Sequence, residues 1–340
     1  MPPKLIGYII KTYNHVISWK ILNSDIWFFE KCRNILVHLV CNSKELKASF
    51  GNANPDITFY VIRDPSRMAG LFSVHHYVVK HIKDAVEREM IPIVDTKHYP
   101  NLYYTNQESI GQINWWEYCF QQPYPYTLEE VYHSKNVVLC SGNYDRQLFE
   151  LFSPDEVMKS HDIITKYMQL NIEAKEMCEK EWQHIKGDFQ RVLGVKCRGT
   201  DYTSLKLHGH GVVPSVQMTI DKIEELMYQW GEKVGKPYDC IFVATEDDGI
   251  LSELKGHFGE LLVYNESNRF RDIGNQGLFD INKKKDAQYK YRQLMDYLMT
   301  TYCLAQCDGL IAPKVNGTLG AMRMKGKYDD LYIFDLGNYD

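Results

Sequence analysis

Apolar and polar positions follow two rhythms along this chain and switch between them repeatedly. "ITFYVI", Ile57 to Ile62, is a compact apolar run and reads as a strand. Leu71, Val74, Val78, Ile82 and Val86 then recur at helical spacing, and "MIPIVDT" returns as a strand. Strand, glycine-bearing loop, helix, strand is one unit of a doubly wound α/β sheet. Tyr99 to Pro125 is crowded with Tyr, Trp, Asn and Gln and reads as loop, before "TLEEVYHS" as helix and "VVLCSG" as strand. Ser153 followed by Glu156 has the capping-box pattern and opens a long linking helical region that runs to Trp182.

A second α/β series follows. "RVLGVKC", "YDCIFVAT", "ELLVYN", "DGLIAP" and "LYIFDLG" read as strands. Between them "VPSVQMTIDKIEELMYQWGEKVG", ended by Gly235, "DDGILSELKGHF", "QYKYRQLMDYLMTTYCLAQ" and "NGTLGAMRMKG" read as helices. Two consecutive Rossmann-like domains fit the series, with residues 1–185 as the first and 186–340 as the second.

Composition narrows the function classes. A chain of 340 residues suits about two domains. The net charge of −5 lacks the basic excess of a nucleic-acid scaffold, so no nucleic-acid partner is expected. Nine scattered cysteines without a CxxC pair suit reduced thiols in a cytoplasmic protein. Cys303 and Cys307 read as buried small hydrophobes rather than metal ligands. The first twenty residues are broken by Lys11, Asn14 and His15, so neither a signal peptide nor a membrane span is expected.

Ligands of open α/β sheets bind beyond the carboxyl ends of the strands, so the residues after each strand are the informative ones. After "VLGVKC" come Arg198, Gly199, Thr200 and Asp201. An arginine there can fork onto a diphosphate, and a glycine lets the backbone approach a ligand. The plainer reading is an Arg–Asp ion pair and a turn. After "FVA" come Thr245, Glu246, Asp247 and Asp248. They can serve ribose or base hydroxyls, or simply complement a helix dipole. After "LIAP" the loop Asn316–Gly317–Thr318 starts a helix whose free N–H groups suit phosphate, or it is an ordinary Asn N-cap. In the first domain Gly70, Ser73, His75 and His76 sit where a loop becomes a helix. GxxxxGK[ST], GxGxxG after a strand and GxSxG are all absent from the sequence.

These stretches, taken together, resemble the GT-B fold superfamily of α-1,6-fucosyltransferases, nodulation fucosyltransferases and protein O-fucosyltransferases. A strand ending in a V-H-x-R-x-T-D-like motif stands here as "VKCRGTD". The A-T-D-D motif stands as "ATED", the D-x-x-x-x-x-S-S motif as "DGLIAPKVNG", and a G-x-x-x-Q-L-H-H-like loop as "GLFSVHH". The match covers about the last 150 residues and one patch of the first domain, and is nearest to bacterial relatives acting on surface glycans. The resemblance implies an α/β GT-B protein whose two Rossmann-like domains face each other across a cleft. It implies a fucosyltransferase that moves fucose from GDP-fucose to a glycan hydroxyl by inverting displacement, with no metal or other cofactor. Arg198 would hold the β-phosphate, Glu246 and Asp247 would lie near the nucleoside, Asn316, Gly317 and Thr318 would hold the phosphates, and Gly70 to His76 would face the donor. The sequence departs from the family at three points. Lys196 replaces a histidine, Gly199 stands where the α-1,6 enzymes have a second arginine, and Thr300, a turn after Asp296, replaces the base-reading aspartate.

For the acceptor side the chain offers Asp201, His208 and His210 as general-base candidates. Trp115, Trp116 and Tyr118 form either an acceptor platform or a loop-packing mini-core. The expected partners are a nucleotide sugar and a glycan acceptor, lipid-linked or free, in polysaccharide biosynthesis. The expected place is the cytoplasm, with Lys4, Lys11 and Lys20 allowing peripheral contact at the inner face of a membrane. Two alternatives stay open: another nucleotide sugar as donor, and a catalytically degenerate nucleotide-sugar-binding module.

Overall fold

The computed structural model describes residues 2–17, 45–63, 69–98, 102–103, 113–140, 150–200, 205–206, 208, 210–271, 277, 281 and 285–339. The chain forms two compact units. The first holds Met1–Arg146, Asp162–Ala174 and Asp286–Tyr291. The second holds Gln147–His161, Lys175–Lys285 and Arg292–Asp340.

The first unit is built on a four-stranded sheet ordered β1-β4-β2-β3. Its strands are β1 (Leu46–Ala48), β2 (Ala53–Ile62), β3 (Ile91–Val94) and β4 (Ser134–Leu139). β2 is parallel to β3 and β4, and only β1 runs antiparallel. Phe59, Val61, Ile93, Val137 and Leu139 meet Ile10 of helix α1 (Pro3–Ile17) in one core. Helix α2 (Leu71–Glu87) buries Leu71, Val74, Val78 and Ile82, the stripe expected from the sequence. Each such side chain taken from water contributes about 1.5–3 kcal/mol. A true capping box starts helix α3 (Leu128–Val131). Thr127 Oγ1 accepts from Glu130 N, and Thr127 N donates back to Glu130 Oε2.

The linking region is two helices rather than one, α4 (Pro154–Tyr167) and α5 (Ile172–Lys186). The break has two causes. Leu170 bridges Phe120, and Asn171 Oδ1 accepts from Ala174 N (2.7 Å), which starts α5 afresh. Ser153 does cap α4, accepting from Glu156 N (3.4 Å).

The second unit carries a five-stranded, all-parallel sheet ordered β7-β6-β5-β8-β9. Its strands are β5 (Val192–Lys196), β6 (Cys240–Ala244), β7 (Leu262–Val263), β8 (Gly309–Pro313) and β9 (Asp330–Phe334). Helices α6 (Val216–Val234) and α7 (Asp248–Phe258) belong to one core. Helices α8 (Ala287–Gln306) and α9 (Asn316–Lys325) belong to the other. Both faces of β5, β6 and β8 are therefore covered, which is why these strands read as near-continuous apolar runs. Gly194 lets α8 come close: a Cβ there would stand 3.2 Å from Cys307 Cβ. Cys303 and Cys307 are buried in this core, as expected. Gly235 ends α6 in the left-handed conformation (φ 65°), also as expected.

The order of this sheet fixes where a ligand can sit. From β5 the chain moves outward to β6 and β7, and from β8 it moves the other way to β9. The helices after β5 and β8 thus lie on opposite faces, and a crevice opens between the carboxyl ends of these two adjacent strands. Arg198 follows β5, and Asn316 follows β8.

Candidate active site

Glu246 organises the loop after β5. Its Oε2 is 3.0 Å from Arg198 Nη1 and 3.5 Å from Lys196 Nζ. Its Oε1 accepts from Gly199 N (2.9 Å) and Thr200 Oγ1 (3.3 Å). Burial works to raise the Glu246 pKa. Arg198 first, then Lys196 and the Gly199 N–H, outweigh burial and hold it down at about 2. Lys196 is buried as well, and burial lowers its pKa. Lysine in place of the family's histidine therefore puts a second cation on the same carboxylate.

Asp247 has two tasks. Its Oδ1 accepts from Gly249 N (2.9 Å) and Ile250 N (3.1 Å) and caps α7. Its Oδ2 accepts from Thr200 N (3.1 Å). Thr245 Oγ1 accepts from Asp247 N (3.2 Å). Glu246 and Asp247 thus share one task within the protein. They hold the Arg198–Thr200 loop, because a carboxylate after β6 lies beside the backbone after β5. Of the three consecutive acids, Asp248 is the one turned outward, with an exposed ion pair to Arg271 (2.9 Å).

Gly199 has a steric reason to be glycine, but the neighbour is protein. A Cβ there would lie 2.4 Å from Asp247 Oδ2 and 2.7 Å from Ile250 Cδ1. Thr200 sits at φ 48°, a left-handed conformation that β-branched residues rarely adopt. The bonds from its N–H and hydroxyl to the two acids hold it there.

The start of α9 differs from an ordinary cap. The N-cap is Val315, which supplies no side-chain hydrogen bond, and Asn316 is already the first helical residue. Thr318 is fully buried, and its hydroxyl has no hydrogen-bond partner among the described residues. An unpaired buried hydroxyl costs about 1–3 kcal/mol, so its persistence calls for an explanation. Beside it a Cβ on Gly317 would meet Tyr297 Oη at 3.0 Å. A helix start whose N-cap supplies no side chain, a buried hydroxyl in its first turn and Arg198 on the adjacent strand end suit an anion with several acceptor oxygens.

A third group lies after β7. Asn265 Nδ2 donates to Thr300 Oγ1 (2.6 Å), which donates in turn to Asp296 O (2.7 Å). Arg269 Nη2 donates to Asn265 O (2.7 Å), and its guanidinium lies over the Tyr264 ring at 5.0 Å. Burial raises the Asp296 pKa. Asn265 and Arg269 did not stand out in the sequence, although the strand-end rule reaches Asn265, two residues after Val263.

The first-unit candidates lie mostly in the interior. His75 and His76 are 0% and 2% exposed, and His75 packs on Phe72 and Phe120. Leu71, Phe72, Val74 and Tyr77 of the same stretch of α2 are buried with them, so neither imidazole is open to solvent. Gly70 is the extended N-cap of α2, and Ser73 is half-buried in the first turn. The first N–H of α2, on Leu71, donates to Tyr103 Oη (2.7 Å). Trp115 and Trp116 are 2% and 0% exposed. Trp116 stacks on Phe120 (4.4 Å), and Trp115 packs on Tyr103. They form the mini-core and offer no face to an acceptor sugar. Tyr118 keeps partial exposure and meets Tyr291 edge-on.

Asp201 lies outside the described residues. His208 is exposed in a turn. The His210 carbonyl accepts from Tyr339 N (2.9 Å), and Gly211 bridges Asn338, so the chain's last residues tie this loop down. Among the described residues no group of three or more His, Cys, Asp or Glu is placed to hold a metal ion.

A structure of NodZ alpha-1,6-fucosyltransferase soaked with GDP-fucose superposes with a TM-score of 0.51. Identity is 13%, and the match covers 83% of this chain and 96% of that one. The fold is that of a fucosyltransferase. This agrees with the α/β GT-B class expected from the sequence. Weaker likenesses are to an Arabidopsis thaliana FUT1 mutant in complex with GDP (TM-score 0.48, 10% identity, 83% and 71% covered) and to POFUT1 in complex with GDP (0.35, 12%, 83% and 76%). No family model and no curated protein sequence matches the chain. At such identities the likeness speaks for the fold, and function has to be argued from the site.

Proposed function

We propose that this protein is a fucosyltransferase that moves fucose from GDP-fucose to a hydroxyl of a glycan acceptor. One observation carries the reading. Arg198 and the fully buried Thr318 hydroxyl, unpartnered among the described residues, stand at the carboxyl ends of adjacent strands, at the switch point of a parallel sheet. The shared fold with a fucosyltransferase whose structure was soaked with GDP-fucose supports the choice of donor.

In this reading Arg198 neutralises charge on the diphosphate as it leaves, and the N–H groups that start α9, with the Thr318 hydroxyl, hold its oxygens. Donors already in place need no reorganisation as charge develops, which is how such sites lower a barrier. These groups do for the leaving group what a divalent cation does elsewhere, so transfer is metal-independent. The position that would read the base is occupied by Thr300, whose hydroxyl is engaged within the protein on both sides, so the choice of GDP rests on donor binding. A glycan assembled on a lipid at the cytoplasmic face of a membrane fits as acceptor. The exposed Leu5 and Tyr8 of α1 are the surface that would meet that membrane. Among the described residues no helix is long and apolar enough to cross one.

Calorimetric titration with GDP, UDP and CDP, with and without EDTA, tests the donor. Selective GDP binding unchanged by EDTA, with GDP released from GDP-fucose on incubation, is the expected result. Binding of UDP or CDP instead overturns the donor, and binding of none of them overturns the transferase.

A further inference from the structure

β5 ends on a charged residue that points into the protein. Val192 belongs to the core shared with α8 and α9, and a Cβ on Gly194 would meet Cys307 and Leu304 of the same core. Leu193, Val195 and Cys197 belong to the core on the other face. Strand alternation therefore puts Lys196 on the face that α8 and α9 cover, the face on which the α9 start lies. Its side chain is only 8% exposed. Lysine is among the residues least often buried, and packing alone would be served by an apolar residue, as at Val192.

Glu246 does not need this lysine for its hydrogen bonds. Its oxygens already accept from Gly199 N (2.9 Å) and Thr200 Oγ1 (3.3 Å) and face Arg198 Nη1 (3.0 Å). Lys196 Nζ stands further off, 3.5 Å from the oxygen that faces Arg198. Arg198 repels the lysine, and the neighbouring Cys197 thiol, pushed up to about 12 by burial, stays neutral. Asp247, the next acid, is bound by the N–H groups of Thr200, Gly249 and Ile250. Arg198 and Glu246 alone would cancel. With Lys196 on the same oxygen, these side chains sum to a single positive charge at the end of β5, the strand that pairs with β8 just before α9. A buried cation opposes folding unless it is paired, and here the pairing is shared rather than exclusive.

We propose that Lys196 is a positioning residue of the diphosphate site: by sharing Glu246 with Arg198, it leaves the arginine's charge uncompensated for a nucleoside diphosphate. The inference rests on the transferase reading. Glu246 fixes where Arg198 stands, and Lys196 offsets what that carboxylate takes from the arginine's field. The arginine is thus oriented without being neutralised. Lys196 acts through Glu246 and through the field rather than by contact with the ligand. The side chains of Lys196, Glu246 and Arg198 are 8%, 14% and 20% exposed, so water screens this balance only in part.

The test uses the full chain and two probes, GDP and guanosine, which differ only in the diphosphate. GDP affinity is measured by calorimetry and guanosine affinity by ligand-observed NMR, on the wild type, Lys196→Met, Lys196→Gln and Lys196→Arg. If the wild type binds no GDP, the transferase reading falls and takes this inference with it. Lys196→Met and Lys196→Gln are expected to bind GDP about tenfold more weakly, the scale of one unit charge acting over about 10 Å at an effective dielectric constant of about 20. Guanosine affinity should stay at the wild-type level in both, because guanosine carries no charge. Lys196→Arg keeps the charge and should keep most of the GDP affinity. Lys196→Gln carries the test if methionine at this site prevents folding. Unchanged GDP affinity in the neutral variants overturns the proposal. An equal loss of GDP and guanosine affinity, or failure of both neutral variants to fold, marks a lysine that serves the fold alone and overturns it too.

Discussion

Glu246 Oε2 lies 3.0 Å from Arg198 Nη1, and the same carboxylate holds Lys196, Gly199 and Thr200. The arginine is therefore set before any ligand arrives. Removing it does two things. Arg198→Ala should lower turnover of GDP-fucose by about 100- to 1,000-fold, the scale seen for one lost electrostatic donor. It also leaves Glu246, whose side chain is 14% exposed, without its strongest partner, so the melting temperature should fall as well. The double variant Arg198→Ala/Glu246→Gln should recover the melting temperature but not the turnover. Melting curves and GDP-release rates on the two variants check this.

Acid should act on the same group. The folded-state pKa of Glu246 is depressed, from 4.5 to about 2. Its stabilisation is therefore complete above pH 4.5 and is lost as pH falls towards 2. Glu246→Gln should flatten this part of the stability–pH curve, measured by urea unfolding between pH 5 and pH 2. An equally steep curve in the variant would assign the acid sensitivity to other carboxylates.

Thr318→Val separates ligand binding from stability. Valine keeps the shape and removes a buried hydroxyl that has no partner among the described residues. Stability should hold or rise by about 1 kcal/mol, because no protein hydrogen bond is lost. Affinity for GDP should drop about tenfold, the cost of one hydrogen bond to a charged group. Unchanged affinity by calorimetry removes Thr318 from the phosphate site.

Gly199→Ala should weaken GDP binding without touching a ligand. The new methyl carbon needs the space held by Asp247 Oδ2 and Ile250 Cδ1, so the acid that bonds Thr200 N must move. Gly199→Arg, the residue of the α-1,6 enzymes, should do so more severely. Recovery of GDP affinity in Gly199→Ala/Asp247→Ala would tie the defect to this contact.

Trp115→Ala and Trp116→Ala should each destabilise the first unit by about 3–5 kcal/mol, the range for emptying a large aromatic site. Chemical unfolding reads that loss directly. A variant with wild-type stability and weakened acceptor use would return these rings to the acceptor platform.

The elements of both sheets were legible wherever apolar periodicity was uninterrupted. β5, β6 and β8 lie where their apolar runs predict, because both faces of each are buried. The break between α4 and α5 was hidden because one of its causes, the pairing of Leu170 with Phe120, is fifty residues away in sequence. α1 was missed because its polar residues broke the apolar run, and β1 because three residues give no period. The strand-end rule pointed to Arg198 and Thr318 as candidates. It could not tell that Glu246 and Asp247 serve the loop beside them, since sequence shows which residues follow a strand but not which strands are neighbours.

The pairing of β5 with β8 also bears on how the molecule is made. Leu193 lies against Gly309, more than a hundred residues further along the chain. Non-local parallel pairing of this kind closes slowly, because loop entropy is lost before contacts compensate it. Arg198 is synthesised long before Thr318, so the two halves of the proposed phosphate site can meet only after most of the chain exists. On the proposed function GDP is a ligand of the finished sheet only, and it should therefore slow unfolding of the second unit and leave its early folding steps unchanged.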